Sequence, residues 1–72
     1  MIQYTVVVKS FTGSGQQREA PQTSEMSFRN DFEAEQHLDL LVRSLQKKHQ
    51  KGHTTYLAYV EGKLELMGSS HV

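Results

Sequence analysis

Asn30-Asp31-Phe32-Glu33-Ala34-Glu35-Gln36-His37-Leu38-Asp39-Leu40-Leu41-Val42-Arg43-Ser44-Leu45-Gln46-Lys47-Lys48-His49-Gln50-Lys51-Gly52 is the stretch that decides the fold. Its local signals agree on one amphipathic helix. Asn30 is a good N-cap, because its side-chain oxygen accepts from backbone N–H groups that have no partner in the first turn. Glu33 stands at the third helical position to complete a capping box. Asp31, Glu33 and Glu35 gather at the positive end of the helix dipole, and Arg43, Lys47, Lys48 and Lys51 at the negative end. Asp39 and Arg43 form a favourable i,i+4 pair, and Gly52 is a natural residue at which to stop. A helix over about 31–51 follows. At roughly 100° per residue, Ala34, Leu38, Leu41, Val42, Leu45 and His49 fall within one arc about 100° wide, the width of a core-facing stripe.

The flanks read as strands. Residues 2–11 are rich in β-branched and aromatic side chains, and period-two alternation puts Ile2, Tyr4, Val6 and Val8 on one face. Residues 12–23 hold two glycines and a proline and read as a long flexible loop. Residues 24–28 form a short second strand, with Met26 and Phe28 inward, antiparallel to the first. Beyond the helix, residues 54–60 and 63–67 flank Glu61-Gly62, a two-residue hairpin turn. That turn sets Val60 against Lys63, Tyr59 against Leu64 and Leu57 against Leu66. Leu57, Tyr59, Leu64 and Leu66 are thereby expected in the core, and Tyr56, Ala58, Lys63, Glu65 and Met67 on the other face. Residues 68–72 read as a frayed tail. The order is ββαββ: an α+β fold with a four-stranded, mainly antiparallel sheet and one amphipathic helix packed on one face. The argument leaves the strand order open.

The chain is 72 residues long and reads as a single small domain over 1–72. Such a domain buries only about 60% of the surface its unfolded chain exposes, so homodimerisation would relieve a small core. It contains no cysteine, which removes disulfides and thiolate zinc sites and suits a reducing compartment. Eight Lys and Arg balance eight Asp and Glu, which argues against a generic polyanion binder. No signal-peptide layout opens the chain, and no apolar run approaches the ~20 residues needed to span a membrane. The expectation is a soluble, cytoplasmic protein.

No constellation of catalytic residues stands out. His49 and His53 are four apart, but Gly52 falls between them and no cysteine or nearby carboxylate completes a metal site. The helical carboxylates are explained by the dipole and by solvation. Gly13-Ser14-Gly15 does not lead into a helix N-terminus, as a phosphate-cradling loop does. The expectation is a protein that is not an enzyme and has neither cofactor nor metal.

Surfaces are more informative. Phe32 and Leu40 lie outside the core arc, near Gln36, Arg43 and Lys47, and an apolar pair rimmed by cations is what a protein-binding helix face looks like. Val7, Tyr56, Ala58 and Met67 form a second candidate surface on the open sheet face, suited to a partner protein or a second copy. Arg43, Lys47, Lys48 and Lys51 form a basic patch for nucleic acid, the alternative reading, with Tyr56 the one aromatic expected on the open face.

A cysteine-free ββαββ unit of this size, without a site, resembles the small proteins of phages and mobile elements, anti-CRISPR inhibitors among them. The resemblance is one of size and architecture and implies an inhibitor or adaptor. The leading expectation is therefore a non-enzymatic protein-binding module with an unidentified protein partner. A nucleic-acid-associated protein and a structural homo-oligomer subunit follow as alternatives.

Overall fold

The structure, a computed structural model, describes residues 1–71. Five elements follow in order: β1 (Ile2–Phe11), β2 (Gln22–Phe28), α1 (Asp31–Gln46), β3 (His53–Val60) and β4 (Lys63–His71). The strands form one sheet in the order β2-β1-β3-β4 with every neighbouring pair antiparallel. The helix lies across one face. This is the expected ββαββ fold, and it supplies the strand order that pattern reasoning left open.

The N-cap is the expected one, although among the described residues no return bond from the Asn30 N–H to the Glu33 carboxylate completes the capping box. Asn30 is extended, its Oδ1 accepts from the Glu33 N–H at 2.8 Å, and its carbonyl accepts from the Ala34 N–H at 3.1 Å. The other end differs from the expected 31–51. The helix ends at Gln46, and Lys47 caps it with its N–H donating to the Arg43 carbonyl. Lys48 and His49 continue as a tight turn, with the Lys48 N–H donating to Leu45 and the His49 N–H to Gln46. Two contacts explain the early stop. Gln46 is buried and holds Thr54 at the start of β3, its Oε1 accepting from Thr54 Oγ1 at 2.7 Å. Gly52 has φ +104°, and a Cβ there would come within 2.0 Å of the Phe11 carbonyl oxygen. The chain must bend sharply against the end of β1, which a helix running to Lys51 could not do.

The core is Tyr4, Val6, Phe28, Ala34, Leu38, Val42, Tyr56 and Ala58, with Ile2, Val8, Met26, Leu41, Val60 and Leu66 packed around it. Ala34, Leu38 and Val42 of the expected helical stripe are buried and Leu41 and Leu45 half-buried, but His49 lies beyond the helix and the buried Gln46 stands outside the expected arc. The β1 and β2 faces agree with expectation. The face of β3 does not. Val6 pairs with Ala58 and Val8 with Tyr56, so Tyr56 and Ala58 share the core face, while Leu57 and Tyr59 stand on the open face. Tyr59 does oppose Leu64 and Val60 does oppose Lys63, but a register shift at Ala58/Tyr59 then sets Ala58 against Leu66 and Leu57 against Met67. A bulge of this kind lets Leu64 face outward and Leu66 inward on the same strand.

The expected tail is a strand as far as His71, while Val72 lies outside the described residues. The expected loop 12–23 yields its last two residues to β2. Its beginning is a hydrogen-bonded turn, with Thr12 N–H donating to Gln16 O at 2.7 Å and Arg18 N–H to Ser10 O at 2.8 Å. The β3–β4 turn has positive φ at both Glu61 (52°) and Gly62 (80°), the signature of a type I′ hairpin.

Candidate functional site

Four features bear on function, beginning with the outer face of α1. Phe32 is 69% exposed and Leu40 65% exposed. They sit eight residues apart, two turns along one helix face, with Gln36 between them. Arg43 and Lys47 continue the line, and all five side chains are exposed. Gln36, Asp39, Leu40 and Arg43 line a shallow depression there. The expected helix-face residues thus share one surface.

The second feature is the open sheet face. Cross-strand pairing sets Val7, Leu57 and Met67 in one row and Thr5, Tyr59 and Leu64 in the next. Val7, Leu57 and Tyr59 are half-buried, Leu64 is 50% exposed and Met67 67% exposed. Val7 and Met67 belong to this surface as expected. Tyr56 and Ala58 do not, being fully buried beneath the helix. Their places are taken by Leu57, Tyr59 and Leu64. The β1–β3 register that makes the exchange is a long-range fact with no local signal.

At one end of the same face Phe11, His53 and His71 stack across β1, β3 and β4, with ring centroids 4.6 Å and 5.2 Å apart. The same end of the molecule carries Lys9 on that face, Arg18 and Glu19 in the loop after β1, and Lys47, Lys48 and Lys51 at and beyond the end of α1. The Arg18 guanidinium donates to the Lys51 carbonyl. The opposite end carries Glu25, Asp31, Glu33, Glu35, Glu61 and Glu65 against Arg29 and Lys63. The neutral chain is therefore strongly dipolar along the strands.

The third feature is a cleft of about 300 Å³ between the end of α1 and the sheet, lined by Val8, Ser10, Glu19, Gln22, Leu45, Lys48, His49 and Thr54. Ser10 Oγ and Gln46 Nε2 are buried there or beside it without a hydrogen-bond partner among the described residues. The sequence carried no sign of this cleft, since its walls come from five separate segments. His49 joins it, whereas His53 turns to the aromatic stack, so the helical pair weighed as metal ligands is split. Among the described residues no three His, Cys, Asp or Glu side chains gather as a metal site.

The fourth feature is a pair of buried phenols set against carboxylates. The Tyr4 hydroxyl donates to Asp31, and burial, then that bond and the charges of Asp31 and Glu65, push its pKa up to about 12. Burial, then the charges of Asp39 and Glu35, push Tyr56 likewise to about 12. The bulge in β4 brings Glu65 to Asp31, and their shared hydrogen bond raises the Glu65 pKa. That carboxylate pair was not legible, because Glu65 was assigned to the far face. Among the described residues no helix is long and apolar enough to cross a membrane. Comparison with protein-family models, curated proteins and solved structures finds no match to this chain.

Proposed function

We propose that this chain is a small, non-enzymatic protein-binding module, an inhibitor or adaptor, that engages a partner protein through the outer face of α1. The observation that carries the reading is the exposure of Phe32 and Leu40 on a helix already held by its opposite face. Neither side chain contributes to the core, so folding does not account for a large apolar group at either position. Burying each against a partner would contribute roughly 1.5–3 kcal/mol, and aromatic residues and arginine are the types enriched at protein interfaces. Gln36, Arg43 and Lys47 supply the polar rim.

The test is capture from the native cell by the tagged chain and by its Phe32→Ala/Leu40→Ala variant, with melting measured in parallel. The reading expects the variant to lose its partner while its melting temperature hardly changes. A variant that unfolds, or that captures the same proteins, contradicts it.

A second reading, association with nucleic acid, is favoured by the basic end of the molecule. There Arg43, Lys47, Lys48 and Lys51 of the helix and following turn stand at the same end of the molecule as Lys9 and Arg18, with the Phe11–His53–His71 stack beside Lys9 on the open sheet face. Stacked rings beside cations suit single strands. Binding of a mixed oligonucleotide pool that weakens steeply with salt would support it, and no binding at low salt would remove it.

A further inference from the structure

We propose that the open face of the sheet is the interface of a homodimer, in which two copies pack sheet on sheet and leave α1 of each on the outside. This goes beyond the helix-face reading and uses different residues.

Three observations point to a second copy as the occupant. First, Val7, Leu57, Tyr59, Leu64 and Met67 are neighbours across β1, β3 and β4 and have no element over them. Among the described residues the core on the other face has eight buried apolar side chains, so a second apolar layer would be a large addition. Second, the face is self-complementary in charge. Lys9 stands toward the basic end and Glu25 toward the acidic end, on the same side of the sheet. A twofold axis lying across the strands lays the basic end of each copy over the acidic end of the other, and the chain has no net charge to oppose association. Third, the size fits. Four strands ~4.8 Å apart over about eight residues of ~3.4 Å give on the order of 500 Å² in projection, and standing side chains raise that toward the ~800 Å² per partner of a standard interface. The product is an eight-stranded sandwich with helices on both outer faces, its sheets ~10 Å apart.

Sedimentation equilibrium of the full chain, up to about 1 mM, tests this with Leu64→Lys, Met67→Lys and Lys9→Glu alongside. Leu64 and Met67 are exposed, so circular dichroism should show both lysine variants folded. The expected result is a wild-type dimer whose melting temperature rises with concentration. Each apolar-to-lysine variant should dissociate about tenfold or more readily. Lys9→Glu should weaken the dimer, and Lys9→Glu with Glu25→Lys should restore it. Phe32→Ala/Leu40→Ala should remain dimeric, which separates this proposal from the helix-face reading. A wild-type monomer throughout the range overturns the inference. So does a dimer indifferent to Leu64→Lys and Met67→Lys, or a monomer in which Met67→Lys abolishes oligonucleotide binding.

Discussion

Gly68 of β4 lies directly against the ring of Tyr56, its cross-strand partner: a Cβ at position 68 would stand 2.5 Å from Tyr56 Cε2 and 3.0 Å from Asp39 Oδ1. The missing side chain leaves the space that the buried Tyr56 ring occupies. Gly68→Ala should therefore destabilise the fold by roughly 1–3 kcal/mol through overpacking. Urea unfolding checks it, as a lower midpoint with an unchanged slope.

Tyr4 and Tyr56 predict an alkaline limit to stability. Their folded pKa values, about 12, exceed the ordinary value of 10.0 that the unfolded chain restores. The native state therefore holds protons that the unfolded state has released between those values. The stabilisation is fully present below pH 10 and is lost as pH rises toward 12, at up to ~1.4 kcal/mol per pH unit for each tyrosine. In a Tyr59→Phe background, phenolate absorbance should rise together with loss of the circular dichroism signal. Phenolate formation well before unfolding would contradict this.

Thr54 and Gln46 form a buried polar pair with one clear dependency. Thr54→Val leaves both polar atoms of the Gln46 carboxamide without a partner and should cost roughly 1–3 kcal/mol. Combining it with Gln46→Met removes the stranded groups and should recover most of that loss. Ser10→Ala, which deletes a hydroxyl that has no partner among the described residues, should be close to neutral. A double-mutant cycle at 46 and 54 measures the coupling.

The Glu61-Gly62 turn can be improved. Glu61 adopts a φ of 52°, which asparagine tolerates better than glutamate. Glu61→Asn should stabilise the domain by about 0.5–1 kcal/mol, read as a higher thermal midpoint.

Local chemistry was legible in the sequence, and long-range choice was not. Asn30 marked the helix start because capping is decided within four residues. Ala34, Leu38 and Val42 marked the buried stripe, and Glu61-Gly62 marked the hairpin. Phe32 and Leu40 stood outside the core arc because the helical period alone separates them from that stripe, and the structure adds that nothing in the fold covers them. The face of β3 went the other way, since Leu57 and Tyr59 look more apolar than Thr54, Tyr56 and Ala58. Pairing with Val6 and Val8 of β1, and the space over Gly68, decided the matter. Helix length failed for a related reason: the buried Gln46–Thr54 bond and the contact of Gly52 with Phe11 are tertiary.

Photo-crosslinking in the native cell tests the central claim most directly, with a photoreactive residue at position 40 in one version of the chain and at position 67 in another. The account predicts that position 40 crosslinks to a different protein and position 67 to a second copy of the chain. Adducts of position 40 with nucleic acid alone, or a folded chain that gives no protein adduct there, would contradict it.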